Sequence, residues 1–235
     1  MKKIFTIITI LFIGTGAGAF AQQTAEEFYE RANEKGKSGD LTGAIQDYTR
    51  ALKLKPDYKE ALFLRATTKG ILGRHMAAIA DYTQLLRLDP ENPLTLNNRG
   101  QMKMLSGDII GAIDDFTEAI RIFPAYALAY FNRGVAYRFA GKIDEAREDY
   151  TKAILLQPDY TDAYLERGQI LLQKELWQDA ISNYSVLLSH HPDHAQGYYY
   201  RGVAKFKAGD KKGAQQDYLR ACDLDPALKS KPYQD

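Results

Sequence analysis

The sequence predicts an all-α protein, a solenoid of antiparallel helix pairs, and three ladders of residues carry that expectation. Pro56, Pro90, Pro124, Pro158, Pro192 and Pro226 stand 34 residues apart without an insertion or deletion. Small residues share the interval at Ala44, Ala78, Ala112, Ala146, Ala180 and Ala214, and aromatic ones at Tyr48, Tyr82, Phe116, Tyr150, Tyr184 and Tyr218. A fixed period of this length marks one helical hairpin copied in tandem, because a single copy cannot bury its own apolar face and must lean on its neighbours. Function is then expected on a surface rather than in a deep cleft.

The first element, residues 1–21, reads as a secretory signal peptide. Lys2 and Lys3 precede an apolar run from Ile4 to Ile13, and Ala19-Phe20-Ala21 supplies a small-x-small cleavage site before Gln22. The run is about half the roughly 20 apolar residues a membrane span needs, so no stable membrane insertion is expected after cleavage. Residues 22–228 hold six 34-residue units, 25–58, 59–92, 93–126, 127–160, 161–194 and 195–228, and residues 229–235 form a short tail expected to fray.

Within each unit, place 8 is small (Ala32, Ala66, Gly100, Gly134, Gly168, Gly202), and places 20, 24 and 27 are small, aromatic and small. Steps of four and three put the latter on one helix face, while places 4, 8 and 11 form a matching stripe on the preceding helix. Gly39-Asp40, Gly73-Arg74, Gly107-Asp108, Gly141-Lys142 and Gly209-Asp210 fall between the stripes as turns. Unit five has Glu175-Leu176 there, which predicts a less regular turn with Trp177 packed across it. The prolines close each second helix. In the last unit Gln215 and Cys222 replace aliphatic residues, as suits a polar cap.

With an aromatic residue or Leu at place 4, Gly or Ala at 8, Ala at 20, an aromatic at 24, Ala at 27 and Pro at 32, the chain resembles tetratricopeptide repeat proteins over residues 25–228. The resemblance implies a right-handed superhelical solenoid and a scaffold for protein or peptide partners. Leu85 and Leu187 depart from Ala at place 27, which predicts wider helix spacing at those points. It also implies that places 2, 5, 9 and 12 of the first helices line a concave groove. Here that stripe reads Tyr29, Phe63, Asn97, Gln101, Met104, Phe131, Val135, Arg138, Leu165, Gln169, Leu172, Tyr199, Val203 and Phe206. Such an apolar and aromatic stripe either anchors a partner segment or closes on its own neighbours. The Lys and Asn pattern of chaperone-tail clamps within the family is not present in any consecutive triple.

Place 7 is arginine throughout (Arg31, Arg65, Arg99, Arg133, Arg167, Arg201), and place 23 is Asp47, Asp81, Asp115, Asp149, Asn183 and Asp217. This is read as a charge-paired spine fixing helix register, in preference to a ladder for acidic peptides. Acids and bases are interspersed along the helices. Loss of the leader takes Lys plus Arg from 31 to 29 against 30 acidic residues, so nucleic acid is not an expected partner.

No phosphate loop or nucleophile elbow occurs, and an enzyme is not expected. No cofactor is expected either. Cys222 reads as a packed thiol, and His190, His191 and His194 form the one cluster with metal-ligand residue types. The expected function is a non-enzymatic interaction scaffold, exported to the periplasm or secreted behind a bacterial-type signal. A structural subunit forming a homo-oligomer is the alternative.

Overall fold

A computed structural model describes residues 23–231; the leader at residues 1–21 and the end of the tail at 232–235 lie outside them. First helices alternate with second helices: α1 (Ala25–Lys37), α2 (Leu41–Leu54), α3 (Lys59–Ile71), α4 (His75–Leu88), α5 (Pro93–Leu105), α6 (Ile109–Ile122). The alternation continues through α7 (Ala127–Phe139), α8 (Ile143–Leu156), α9 (Thr161–Gln173), α10 (Trp177–His190), α11 (Ala195–Lys207) and α12 (Lys211–Leu224). Each helix packs on its predecessor and successor, and the first helices of units two to four touch one another directly. Among the described residues there is no strand, and no helix is long and apolar enough to cross a membrane.

Local chemistry places the helix ends. The Thr24 hydroxyl accepts the Glu27 N–H at 3.1 Å while Glu27 accepts the Thr24 N–H at 3.0 Å, a reciprocal cap on α1. Asp40, Asp108 and Asp210 cap second helices by accepting the N–H of Gly43, Gly111 and Gly213 at 2.8–2.9 Å. The turns before them need a left-handed residue, supplied by glycine at φ between +71° and +92°. Unit five corrects the expectation of an irregular turn. Glu175 adopts φ +60° in the same role, and Leu176 N–H reaches Leu171 O at 2.9 Å as Arg74 N–H reaches Lys69 O at 2.9 Å.

In units three to five the glycine at place 8 receives the ring at place 24. A Cβ on Gly168 would come within 2.3 Å of Tyr184 Cζ, so the two helices approach as closely as that ring permits. Tyr82, Phe116, Tyr150 and Tyr184 are all buried. The wider spacing expected at Leu85 and Leu187 is not seen at the seams α4–α5 and α10–α11, which are as closely apposed as the others, but inside unit five α9 and α10 are less closely apposed than the other helix pairs. At Leu187 the space comes from Gly197 across the seam, where a Cβ would lie 3.3 Å from Leu187 Cδ2.

The arginine ladder is a spine. Arg31, Arg65, Arg99, Arg133 and Arg201 each grip their own unit's aspartate with two hydrogen bonds of 2.7–2.8 Å. Lys35, Lys69, Lys103 and Lys205 add a second cation at 2.6–2.9 Å. The aspartates are almost fully buried, and paired charges of this kind fix register.

Of the tail expected to fray, only residues 229–231 are described, and 232–235 lie outside the described residues. Pro226–Ser230 forms a 3-10 turn, Leu228 is buried against Ala221 and Cys222, and the Tyr218 hydroxyl donates to Lys229 O at 3.2 Å. Cys222 is therefore a packed, free thiol.

Candidate partner-binding groove

The stripe at places 5, 9 and 12 runs along the first helices, half-buried at every position but one. Its aromatic members lean on rings of their own unit. Tyr29 lies 6.0 Å from Tyr48 and 5.0 Å from Tyr58, and Phe131 lies 5.7 Å from Tyr150 and 5.0 Å from Tyr160. Phe63 meets Tyr82 edge-on at 5.9 Å. Burial pushes the Tyr160 hydroxyl up to about 12, so it remains a neutral donor. These residues are wall and packing at once. Met104, Val135, Leu165, Leu172 and Tyr199 likewise rest against core clusters, while Gln101, Gln169, Val203 and Phe206 are half-exposed along the same line.

Asn97 is a correction to the stripe. Its side chain is 0 % exposed, because Asn132 of the next unit donates to its Oδ1 at 2.8 Å and seals it beneath the surface. The same polar line continues to Asn98, which Asn97 contacts at 3.4 Å, and Tyr82 shares hydrogen bonds with Thr67 and Asn98. Such a chain ties units two, three and four together and satisfies buried amides that would otherwise be costly.

Two hollows open on the stripe. One of about 420 Å³ is lined by Tyr29, Phe63, Leu64, Leu85 and Leu94, with Lys59, Glu60 and Asp89 beside them. The other, about 300 Å³, is lined by Val135, Arg138, Phe139 and Glu166. Arg138 is ion-paired with Glu166 of the next unit, so it presents a neutralised pair rather than a lone cation. An apolar hollow edged by a few polar groups can seat a hydrophobic side chain of a partner and orient its backbone.

The histidine cluster does not converge on a metal. His194 Nδ1 accepts the Gly197 N–H at 3.0 Å as the cap of α11, His191 Nε2 contacts Asp159 O at 3.0 Å, and the His190 and His191 rings stand 6.5 Å apart. Among the described residues no His, Cys, Asp and Glu grouping suits an ion. Sequence reasoning passed over two ladders visible at the same period: place 25, Thr49, Thr83, Thr117, Thr151 and Ser185, and place 34, with Tyr58, Tyr126 and Tyr160. The first accepts from the spine arginines, and Tyr58 and Tyr160 of the second back the groove aromatics.

Among the described residues, twelve α-helices in six hairpins with a semi-exposed apolar stripe on the first helices define a helical-repeat protein. Family models described as tetratricopeptide repeat match residues 29–68, 72–127, 127–160 and 165–228. The chain belongs to the tetratricopeptide repeat family. The crystal structure of MamA aligns with a TM-score of 0.66 and 28 % identity over 70 % of this chain and 96 % of that one. YrrB, a TPR protein with an unusual peptide-binding site, aligns at 0.63 with 20 % identity over 78 % and 97 %. PilW, a widely conserved type IV pilus biogenesis factor, aligns at 0.71 with 18 % identity over 91 % and 98 %. No curated protein matches the sequence.

Proposed function

We propose that the chain is a non-enzymatic scaffold or adaptor of the bacterial cell envelope that holds a peptide or protein segment against the stripe on its first helices. The observation that carries this reading is the pair of apolar hollows along the stripe, one at Tyr29 and Phe63 and one at Val135 and Phe139. The peptide-binding site reported for YrrB and the pilus-biogenesis role of PilW support it as likenesses of fold. Export to the periplasm or the medium is part of the same proposal, supported by the signal-like pattern of residues 1–21.

Affinity capture from an envelope extract with residues 22–235 tests the groove, compared with Phe131→Ala and Tyr199→Ala together. Because Phe131 also packs on Tyr150 and Tyr160, Phe139→Ala provides a second arm; its ring is 71 % exposed and its removal spares the core. Loss of the same partner in both variants is expected, and equal capture by all three proteins refutes the groove.

A second reading is favoured by a surface that shares Phe139 with the second hollow. Place 13, at the hairpin tips, holds Ile71, Leu105 and Phe139, exposed by 68 %, 59 % and 71 %, bounded by Lys37 at one end and by Gln173 and Lys207 at the other. Exposed apolar residues repeated in one register suit self-assembly. Light scattering across a concentration series tests it, with Ile71→Lys and Leu105→Lys expected to abolish any growth in mass.

A further inference from the structure

At the fifth rung of the spine, Arg167 meets an amide instead of a carboxylate. Its Nε donates to Asn183 Oδ1 at 2.9 Å and its Nη1 to Thr151 Oγ1 at 3.2 Å. The Nη2 arm, which holds the second aspartate oxygen in the other rungs, has no acceptor among the described residues. Asn183 is locked in this pose because its Nδ2 donates to Tyr164 O at 2.9 Å. The lysine at place 11 is also replaced, by Leu171. No carboxylate among the described residues answers the charge on Arg167.

A second arginine faces the same void. Place 21 is isoleucine in four units, but Arg147 in unit four. Its Nε is buried without a partner, and the carboxylate it approaches, Asp144 at 3.8 Å, is already held by Lys174. Arg147 and Arg167 both line a cavity of about 590 Å³ between α8, α9 and α10. Burial, and the like charge of Arg147, pull the Arg167 guanidinium below its ordinary pKa. Two guanidinium groups sharing a partly desolvated space repel unless an anion lies between them.

We propose that this cavity binds a monovalent carboxylate with an apolar stem, the carboxylate lying beside the Asn183 amide, accepting from Arg167 Nη2 and bridging to Arg147. Three features select that chemistry. The other rungs show this arginine place to be built for the two planar oxygens of a carboxylate. The lining adds Lys152 but also Glu148 and Asp179, an excess of one positive charge that suits a monoanion better than a phosphate dianion. Leu155, Leu171 and Val186 offer apolar surface to a stem. None of the cavity's lining residues belongs to the stripe, and the proposal does not depend on the groove.

Hexanoate titrated into the protein at constant ionic strength, read by calorimetry and by melting temperature, tests the site. Saturable binding is expected, with no matching response to inorganic phosphate. Asn183→Asp restores the residue found in the other rungs, so it is expected to fold at least as stably while weakening hexanoate about tenfold or more, the weight of one charge-assisted hydrogen bond. Arg147→Ile, the residue of four of the other units, is expected to weaken it similarly. A capped glutamate peptide and its glutamine counterpart separate the sources: preference for the glutamate peptide over hexanoate assigns a protein segment, and preference for hexanoate a free acid. No saturable binding of either carboxylate, equal binding in Asn183→Asp, or phosphate binding as well as hexanoate overturns the proposal.

Discussion

Arg65 of the second unit donates to the Thr49 hydroxyl of the first at 3.2 Å while its other arms hold Asp81 at 2.8 Å. One guanidinium thus joins two helices of its own unit and crosses the seam to the unit before. Arg99, Arg133, Arg167 and Arg201 repeat the crossing to Thr83, Thr117, Thr151 and Ser185 at 3.2–3.3 Å. In unit six the equivalent residue is Leu219.

The rungs differ in redundancy, and stability is expected to follow. Asp149 is 5 % exposed and Arg133 is its only ion-pair partner among the described residues, whereas Asp81 is held by both Arg65 and Lys69. Arg133→Ala leaves a buried carboxylate alone and is expected to cost about 3–5 kcal/mol. Arg133→Lys recovers little, since an ammonium cannot reproduce the two-point grip. Arg65→Ala costs less than Arg133→Ala. Urea midpoints of the three variants decide this, and equal losses at both rungs sink the account.

Glu175 holds φ +60° where the other five turns use glycine. A side chain in this region costs about 1–2 kcal/mol relative to glycine. Glu175→Gly is therefore expected to raise the thermal midpoint, with a gain of about 1 kcal/mol, and Gly141→Ala to lower it comparably. A fall in stability on Glu175→Gly refutes the strain.

The repeat, its helix pairs and the spine were legible because each depends on residue type at a fixed place. Glu175 shows where that legibility ends, since the neighbouring turn hydrogen bonds impose a backbone shape against the residue's own preference. Asn97 shows a second limit. Its place on the wheel puts it on the stripe, but its burial is decided by Asn132 of the following unit, 35 positions away. Exposure in a solenoid belongs to pairs of units, and only ladders compared between adjacent units reveal it.

Three place-24 tyrosines differ with the residue at place 9, whereas Tyr184, with Gln169 at that place, also has a buried hydroxyl without a hydrogen-bond partner. Tyr48 donates to Asn33 at 2.7 Å and Tyr82 shares a hydrogen bond with Thr67 at 2.9 Å, but Tyr150 faces Val135 and its buried hydroxyl has no partner. Tyr48→Phe is expected to cost about 1 kcal/mol through the lost hydrogen bond. Tyr150→Phe removes an unsatisfied group, copies the natural Phe116, and is expected to be neutral or stabilising. Denaturation midpoints check both, and a Tyr150→Phe loss as large as that of Tyr48→Phe contradicts the distinction.

His194 makes the start of α11 sensitive to acid. Its Nδ1 must be unprotonated to accept the Gly197 N–H, and burial, reinforced by His191, lowers its pKa below the ordinary histidine value. Asp162 opposes that shift without reversing it. With the unfolded value near about 6.5, the unfolded chain binds more protons than the folded one just below that pH, so stability rises with pH there. The cap's contribution is complete above about 6.5 and is lost as pH falls through the lower folded value. Melting temperature is expected to decline between about pH 7 and pH 5, above the range where ordinary carboxylates titrate. His194→Asn keeps a capping oxygen without a titrating group and is expected to flatten the decline, whereas His190→Gln leaves it in place. A slope undiminished in His194→Asn shows that the acid sensitivity arises elsewhere.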